Sequence, residues 1–435
     1  MAAAAADSSN SAPPPEDVLA IDGSTLEGGG QVVRSCLALA WLHQGPVRLH
    51  SIRAGRPKPG LANQHLAGAL LTARLGGLLL DGAAKGSTEM MARRPTEMDE
   101  AELPTTTQVA DAQTAGATTL MLQAALPPLL MRSVANTQLV LRGGTDVSFS
   151  PPAAHASLVL APLIARFGAT LRVEVARRGF NPQGGGELHV SGALGPDSVV
   201  LQPTDLSERG APLSLRGLAV AAPGGNGAAR AVVHALEPLL SALPSLGGAS
   251  VSIALEPNGE DGEEGGGKGG GGGKGGGKGG GGGKGGGGGK GKRGSGANRR
   301  CDVSVQLAVT CAGGAVISAN LLQPTDEAGA DGFARALVAQ LDATLGCGAS
   351  VDEHTADQLV VFMALARGVS RLRAPPAASL TSLHLPTVLH FAALMTGARF
   401  RVSETADGCQ LVECEGAGVV ASRLEAAAEA ERGPS

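Results

Sequence analysis

Residues 21–36 read IDGSTLEGGGQVVRSC, and this stretch places a single carboxylate, Glu27, directly ahead of three glycines. The residues before it, VLAID, are typical of a short strand, and from Gln31 onward apolar side chains recur at helical spacing. Glycine lets a backbone approach a ligand closely, and the start of a helix favours anions. The stretch therefore predicts a strand, a glycine turn and a helix start that together bind a phosphate or a metal–phosphate complex.

The alternation of strand-like and helix-like segments continues along the chain. Helical spacing recurs in residues 61–75, in residues 114–131 and in three late segments that each end at a glycine, 333–346, 355–368 and 385–397. Together with the short strands between them, these segments predict a repeated unit of about two helices packed on one face of a small sheet. Three such repeats give an α+β fold class.

One region departs from this alternation and predicts a smaller inserted α/β domain. Residues 204–323 read strand, helix, strand, glycine loop, strand, strand. Inside it, residues 258–298 are rich in Gly and Lys and offer nothing to bury, which predicts a disordered loop. Such a basic loop is either a weak, salt-sensitive RNA arm or a tolerated loop expansion. The predicted organisation is a disordered tail (1–17), a catalytic part with two repeats (18–203), the insert (204–323), the third repeat (324–422) and a second tail (423–435).

Composition excludes several broad classes of protein. The formal net charge of −4 argues against a protein that coats nucleic acid, although a local basic site is still possible. The six cysteines form no CxxC pair and lack the Cys–His spacing of a structural zinc site, which predicts free thiols in a reducing compartment. The first residues lack a secretory signal, and no apolar run is long enough to span a membrane. We therefore expect a soluble intracellular protein that is not secreted and has no membrane partner.

The turn IRAGRPKPGLANQH, residues 52–65, is the second candidate for phosphate binding. Its two guanidinium groups, Arg53 and Arg56, lie three residues apart on a loop stiffened by prolines, and Gln64 follows. Forked guanidinium groups bind phosphate oxygens in pairs. The alternative is a solvated basic turn. Neither the phosphate loop of nucleotide-binding proteins nor the HExxH metal helix occurs in the chain.

Other candidates also have a structural explanation when taken singly. The turns at residues 143–152 and 177–188 are rich in Gly and Pro, and each is either a ligand-binding turn or a plain hairpin. Asp357 and Gln358 begin an otherwise apolar helix, where polar residues are also ordinary caps. His384 lies at a strand–helix junction, which would expose it in a cleft, although a lone histidine is more often structural.

Read together, these segments closely resemble the RNA 3′-terminal phosphate cyclase family. The resemblance covers residues from about 18 to about 405 apart from the glycine tract, and its motifs follow one order. They are DGSTLEGGGQVVRS, SIRAGRPKPGLANQH, TAGATTLMLQAALPPLL, GGTDVSFSPP, RRGFNPQGGGE, ADQLVVFMALA and SLHLPT. The fold that this resemblance implies is three repeats of a module like the C-terminal domain of translation initiation factor 3, with a smaller inserted domain.

The resemblance also implies a reaction. The family uses ATP to convert an RNA 3′-phosphate end to a 2′,3′-cyclic phosphate. A histidine attacks the α-phosphate of ATP and forms histidine–AMP with release of pyrophosphate. The AMP then passes to the RNA 3′-phosphate, and the neighbouring 2′-OH displaces it. A nucleophilic imidazole suits this chemistry, because we expect it to be neutral near pH 7 and to leave well once protonated.

Site residues follow by similarity of position in the motifs. His384 is the nucleophile, and Glu27 is the ligand of a hard divalent cation, Mg²⁺ or Mn²⁺. Phosphates of ATP or of the RNA end are expected at Arg34, Arg53, Arg56 and Gln64. The nucleotide is expected at Gln123, Pro151, Pro152, His354, Asp357 and Gln358. The implied partners are ATP and an RNA with a 3′-phosphate end, and the implied location is the nucleus or the cytoplasm.

The chain departs from the family pattern at two places near the nucleophile. His354 stands where the family often has Tyr, and Leu385-Pro386 replace two polar residues after His384. One alternative function is therefore the related non-catalytic branch that acts in ribosomal RNA processing and lacks the nucleophilic histidine. The other is an RNA-binding scaffold that relies on the basic loop. The intact histidine and phosphate-binding motifs favour the enzyme.

Overall fold

The structure, a computed structural model, describes residues 18–96, 106–132, 136–196, 198–258 and 300–422. The predicted tails, 1–17 and 423–435, lie outside the described residues, and so does the predicted Gly/Lys loop except for Asn258.

The first sheet contains the opening stretch of the sequence analysis. Its elements are β1 (Leu19–Asp22), α1 (Gly30–Leu39), β2 (Val47–His50), α2 (Asn63–Gly76), β3 (Leu79–Asp81) and β4 (Met90–Arg93). Strands β1 and β2 run parallel, and β4 runs antiparallel to β2 and to β3. The strand order is therefore β1-β2-β4-β3. The strand, glycine turn and helix predicted for residues 21–36 are confirmed.

The second sheet repeats this arrangement. Its elements are β5 (Thr107–Asp111), α3 (Thr118–Met131), β6 (Gln138–Gly143), α4 (Ala153–His155), α5 (Ala161–Ala165), β7 (Ala169–Arg177) and β8 (Gly186–Leu194). A π-helical turn joins α4 to α5. The order β5-β6-β8-β7, with one parallel and two antiparallel pairings, matches that of the first sheet.

A short strand, β9 (Asp205–Leu206), precedes a differently connected unit. Its elements are β10 (Pro212–Ala221), α6 (Asn226–Ser241), β11 (Ser250–Glu256), β12 (Cys301–Cys311), β13 (Val316–Thr325) and α7 (Ala330–Gly346). The strand order is β11-β10-β12-β13, and α7 packs on α6 and β13. These are the strands and the helix predicted for the insert, with α7 added.

The last sheet completes a third repeat across this insertion. Its remaining elements are α8 (Glu353–Leu365), β14 (Arg367–Ala374), α9 (His384–Thr396), β15 (Arg399–Glu404) and β16 (Gln410–Ala417). Strand β9 pairs in parallel with β14, and the order β9-β14-β16-β15 is that of the other repeats. The predicted α+β class is confirmed. The likeness to initiation factor 3 and the domain boundaries stay predictions, and the pairing adds that β9 belongs to the third repeat and α7 packs with the insert.

Helices from all three repeats meet in the core. Helix α3 is almost wholly buried and packs against α1, α2 and α8, while α9 packs against α1 and α8. This packing brings the start of α1 near the starts of α8 and α9, although their sequences lie more than 300 residues apart.

The late helices end in different ways. Gly397 closes α9 in the left-handed conformation, as its glycine predicts. The prediction that Gly368 closes α8 is wrong, because α8 ends at Leu365 and the chain turns directly into β14, which contains Gly368. A helix followed by a strand after one extended residue leaves no room for a glycine cap.

Candidate active site

Four side chains from the first and third repeats form a charged centre. The Nε2 atom of His384 lies 3.8 Å from Oε1 of Glu27, and its Nδ1 lies 3.4 Å from Oδ2 of Asp357. The guanidinium of Arg56 donates to Oε1 of Glu27 from the other side. Both carboxylates are almost fully buried, whereas 27% of the His384 side chain is exposed. The imidazole therefore stands between two buried carboxylates and remains open to a ligand.

The glycine turn positions Glu27. Its Oε2 accepts hydrogen bonds from the backbone N–H groups of Gly29 (2.7 Å) and Gln31 (3.3 Å), so the carboxylate caps the start of α1. Gly28 is left-handed, with φ of 61°. A Cβ on Gly29 would clash with Glu27 and lie 2.6 Å from Nε of Arg56. The glycines next to the acid are therefore required by the close approach of these side chains.

The loop before α9 positions His384. The carboxylate of Glu353, at the start of α8, accepts hydrogen bonds from the backbone N–H and hydroxyl groups of Thr381 and Ser382 at 2.7–3.0 Å. The Ser382 hydroxyl accepts a hydrogen bond from the His384 N–H at 3.3 Å. Thr387 ties this helix to the first repeat, because its hydroxyl accepts a hydrogen bond from the Glu27 N–H at 3.1 Å.

The charges of the centre stabilise one another. Contacts with Asp357 and Glu27 raise the pKa of His384 to about 9, although burial acts against this. Burial alone would raise the pKa of Glu27, but contacts with His384 and Arg56 outweigh it and lower that pKa to about 2. His384 is therefore protonated at pH 7 in the ligand-free protein. The expected neutral, attacking imidazole therefore differs from the ligand-free state, in which a ring between two carboxylates retains its proton.

A narrow cleft, open to solvent, adjoins the charged centre. Four of the predicted site residues line it: Arg34, Gln123, Asp357 and Gln358. Gln31, Ser35 and Ala38 of α1 line it as well, and apolar side chains of α3, α8 and the end of the π-helical turn supply the remaining wall. A mostly apolar cleft with a few polar groups on its walls is suited to a flat heterocyclic ligand.

The remaining predicted residues occupy the surroundings of this cleft. Nη2 of Arg34 donates to Gln31 at 2.5 Å, while its Nε is buried without a partner in the structure. Arg53 is left-handed and donates to the Gly60 carbonyl at 2.6 Å. Oε1 of Gln64 accepts from the Ala117 N–H at 2.8 Å, which joins the first repeat to the second.

Two prolines and one histidine complete the predicted set. The Pro151 carbonyl accepts a hydrogen bond from Thr119, one turn before Gln123 on α3, and Pro152 precedes α4. The ring of His354 lies 6.1 Å from that of His384, centroid to centroid. Among the described residues, neither proline is hydrogen-bonded to a residue of the charged centre. Their contact with the adenine base therefore stays a prediction.

Sequence reasoning did not assign a role to two residues that shape the site. His65 faces Gly30, where a Cβ would lie 2.7 Å from its Nε2. Burial and the positive charge of Arg34 lower the pKa of His65 to about 3, so it is neutral. Its position in the basic turn at residues 52–65 is the sequence feature that could have marked it as a site residue. No sequence motif marks Glu353 as a site residue, because its hydrogen-bond partners lie 28 and 29 residues away.

Glu27 fits the predicted divalent cation. A buried carboxylate with a lowered pKa is ionised and offers the hard oxygen ligand that Mg²⁺ prefers, usually with only one or two carboxylates beside substrate phosphates. Its present partner, Arg56, has a side chain that is 45% exposed and has space to turn toward a phosphate. The donor set is therefore compatible with Mg²⁺ or Mn²⁺.

The arrangement of an imidazole, a carboxylate, guanidinium groups and an adjacent cleft defines a class of protein that handles phosphate groups. Comparisons with known proteins identify the family within this class. The family described as RNA 3′-terminal phosphate cyclase matches residues 25–402, and the chain belongs to this family. The predicted resemblance is thus confirmed.

Relatives from distant organisms share most of the chain's length. An RNA 3′-terminal phosphate cyclase of Pyrobaculum neutrophilum is 32% identical over 92% of this chain and 98% of its own length. One from Caldivirga maquilingensis is also 32% identical, over 88% and 93%. A probable RNA 3′-terminal phosphate cyclase of Dictyostelium discoideum is 28% identical over 91% and 82%. Among the described residues, no helix combines the length and apolar character that crossing a membrane requires.

Proposed function

We propose that the protein converts an RNA 3′-terminal phosphate to a 2′,3′-cyclic phosphate at the expense of ATP, through covalent adenylylation of His384. Membership of the family supports the overall reaction. The observation that carries the mechanism is the position of His384, which is half-buried between Glu27 and Asp357 beside the cleft lined by Arg34 and Gln123.

The two ring nitrogens of His384 have different surroundings, which assigns them different tasks. Asp357 holds Nδ1 at 3.4 Å and orients the ring, as the third member of a nucleophile–base–carboxylate arrangement does. Nε2 faces Glu27 and is the nitrogen that attacks the α-phosphate of ATP. Because the free protein holds a protonated ring, Nε2 loses its proton to solvent before it attacks. The new Nε2–P bond forms as the bond to the pyrophosphate oxygen breaks.

The later steps use the same centre. The RNA 3′-phosphate oxygen attacks the phosphorus of histidine–AMP, and the Nε2–P bond breaks. The ribose 2′-OH then attacks the RNA phosphate, loses its proton and expels AMP. Arg34, Arg53 and Arg56 bind the phosphates, and positioning and charge neutralisation lower the barriers. Mg²⁺ or Mn²⁺ on Glu27 would neutralise phosphate charge beside the imidazole.

The nucleotide is assigned to the cleft. Gln123, Asp357 and Gln358 would bind the adenosine part, with Pro151, Pro152 and His354 at its border. The partners proposed here are ATP and RNA with a 3′-phosphate end, and the proposed location is the nucleus or the cytoplasm.

The test is labelling with ATP that carries ³²P at the α-phosphate, in the presence of Mg²⁺, followed by peptide mapping. Wild type should take one label on His384, and His384→Ala should take none. His390→Ala, an exposed histidine on the same helix, is the matched control and should label like wild type. Labelling of His384→Ala equal to that of wild type would refute the assignment of the nucleophile, and the absence of label from wild type would favour the non-catalytic alternative.

A further inference from the structure

The charged centre contains a second possible ligand site on the side of His384 that faces away from Glu27. Each of three residues, His354, Asp357 and His384, offers one ligand atom, and these atoms all lie within 4.8 Å of one another. Asp357 is buried, His384 is half-buried and His354 is exposed. We propose that these three residues form a binding site for a divalent transition-metal ion of the zinc class, and that the bound ion inhibits the protein.

The spacing of the ligand atoms fits such an ion. Zinc lies 2.0–2.2 Å from nitrogen and oxygen ligands in tetrahedral geometry, which places neighbouring ligand atoms about 3.4 Å apart. The pair formed by His384 Nδ1 and Asp357 Oδ2 is already 3.4 Å apart. The third ligand needs to approach by no more than about 1.4 Å, and the side chain of His354 is exposed and free to turn. Three protein ligands leave a fourth position open to water or to a phosphate oxygen.

Local helix geometry holds the three ligands in place. His354 and Asp357 lie three residues apart on α8, so they share one face of that helix. The backbone of His354 is fixed at both ends, because its N–H donates to Asp352 and its carbonyl accepts from Gln358 at 2.7 Å. His384 comes from the start of α9, which packs against α8. The site therefore needs only side-chain rotation.

The surroundings also resemble those of metal-binding histidines. Such a histidine usually gives its second ring N–H to a carboxylate, which fixes the ring and makes it a better ligand. The Nε2 atom of His384 faces Oε1 of Glu27 at 3.8 Å, while Nδ1 faces the proposed ion. The helix starts at His354 and His384 disfavour a cation by a modest amount, but the charges of Asp357 and Glu27 act in the opposite sense.

The two cation sites differ in their ligand chemistry. Glu27 offers only carboxylate oxygen, which suits Mg²⁺, whereas two imidazoles and one carboxylate suit zinc, cobalt or nickel. An ion on Nδ1 of His384 also touches Asp357, which lines the proposed nucleotide cleft. Inhibition, which rests on the proposed function, follows because the ion removes the orienting contact of Asp357 with the nucleophile. Binding of the ion does not depend on that function.

Binding is tested on the whole chain with Co²⁺, whose visible absorption reports tetrahedral coordination by nitrogen and oxygen. Wild type should give this spectrum with one Co²⁺ per chain, and Zn²⁺ should abolish it. His354→Phe keeps an aromatic ring and removes a ligand, so we expect a loss of Co²⁺ affinity of about 100-fold or more, beyond what loss of an outer-shell partner costs. The control His390→Phe removes an exposed histidine from the same helix as His384 and should bind like wild type.

Three outcomes would overturn the metal site: a missing tetrahedral spectrum, His354→Phe binding Co²⁺ like wild type, or His390→Phe losing binding to the same extent. Because His354 is exposed, a folding defect is not expected, and circular dichroism of each variant verifies this. None of these outcomes depends on whether the protein reacts with ATP.

Inhibition is then measured as the ratio of His384 labelling with and without Zn²⁺ at constant Mg²⁺, so that each variant serves as its own reference. Wild type should be inhibited at Zn²⁺ concentrations that displace Co²⁺, and His354→Phe should need about 100-fold more. Equal zinc sensitivity of the two proteins would refute the inhibitory role. A wild type that binds Co²⁺ but never labels would refute the proposed function and leave the metal site in place.

Discussion

The three repeats and the inserted unit each have a four-stranded sheet, but only the repeats build the charged centre. In each repeat the first strand forms an edge of the sheet and the second lies next to it, whereas in the insert the first strand, β10, lies inside the sheet and the second, β11, forms the edge. Glu27 precedes α1 and His384 begins α9, so the centre lies where helix starts of two repeats face each other. The insert contacts the start of α8, because Ser318 of β13 donates a hydrogen bond to Asp352 at 2.8 Å. The position of helix starts, rather than the sheet, creates the site.

The strongest test of whether the repeats build the charged centre is to remove the side chain that the first repeat supplies. Glu27→Ala deletes the acceptor of two backbone N–H groups and the partner of Arg56 and His384. Because two backbone N–H groups then lose their cap, and the half-buried His384 and the exposed Arg56 lose their counter-charge, we expect a loss of roughly 3 kcal/mol in the free energy of unfolding. Histidine labelling should fall by more than about 100-fold, since the variant lacks both the proposed cation ligand and a partner that positions the His384 ring.

Urea unfolding and single-turnover labelling measure these two effects. Glu89→Ala is the control in the same repeat, because it removes an exposed ion pair with Arg48 and should change stability by less than about 1 kcal/mol. A Glu27→Ala protein as stable and as active as this control would show that the first repeat does not support the centre.

The next test concerns the third repeat and the pH dependence of the centre. Asp357→Asn removes the largest contribution to the raised pKa of His384, so that pKa should fall from about 9 toward its ordinary value of 6.5. A raised histidine pKa stabilises the folded state fully below pH 6.5, and the effect is lost as the pH rises through 9. The variant should therefore be less stable than wild type by roughly 2 kcal/mol near neutral pH, with a smaller difference above pH 9.

NMR titration of the His384 ring in the metal-free protein measures the pKa, and urea unfolding across this pH range measures the stability. Asp331→Asn, which changes an exposed aspartate that pairs with Arg335, should leave the titration of His384 unchanged. An unchanged His384 titration in Asp357→Asn would show that Asp357 does not hold the ring.

A smaller effect is expected from the support of the loop before His384. Glu353→Ala removes the acceptor of the hydrogen bonds from Thr381 and Ser382. Because the loop is exposed and water replaces the lost partner, we expect a cost of about 1 kcal/mol in stability. Labelling should fall by roughly 10-fold because the nucleophile is less well positioned. Glu404→Ala, an exposed glutamate on β15, should change neither quantity, and equal behaviour of the two variants would exclude a positioning role for Glu353.

These tests also show which parts of the site the sequence could predict. Glu27, Arg56, Asp357 and His384 lie in local motifs of glycine, charge and helix-start residues, and the structure brings them together. The role of Glu353 was not predictable, because it depends on how α8 and a loop 28 residues away are placed by tertiary packing. The proton on His384 was missed for the same reason. A pKa depends on neighbours in space, and both carboxylates come from other elements.

The fold also has features that the sequence predicted and features that it did not. Periodicity predicted the helices and the α+β class, because apolar spacing directly reflects which face is buried. It did not predict that β9 pairs with β14, since a strand of two residues carries no periodic signal and its partner residues follow 166 positions later. The end of α8 was misplaced because Gly368 matches a helix-cap pattern, although it lies in a strand.

The smallest effect is expected on the other side of the comparison, in the insert. Strand β11 ends at Glu256 and β12 begins at Cys301. Both strands pair with β10, one on each side, and these two chain ends lie next to the same end of β10. Two strand spacings separate them, about 10 Å, which a short linker spans. Deletion of residues 264–292 should therefore change stability by less than about 0.5 kcal/mol, because loop-closure entropy varies slowly with length.

Labelling of His384 should be unchanged by this deletion, since the described residues of the insert lie outside the charged centre. RNA binding should weaken only at low salt, because lost lysines reduce an electrostatic attraction that salt screens. A matched variant that keeps the length and replaces the lysines of this segment by serine separates charge from linker length. Loss of folding on deletion, with the serine variant intact, would show that the insert needs the length of this segment and that it is not a tolerated expansion. Loss of labelling in either variant would show that the insert contributes to the centre after all, and that the repeats alone do not build it.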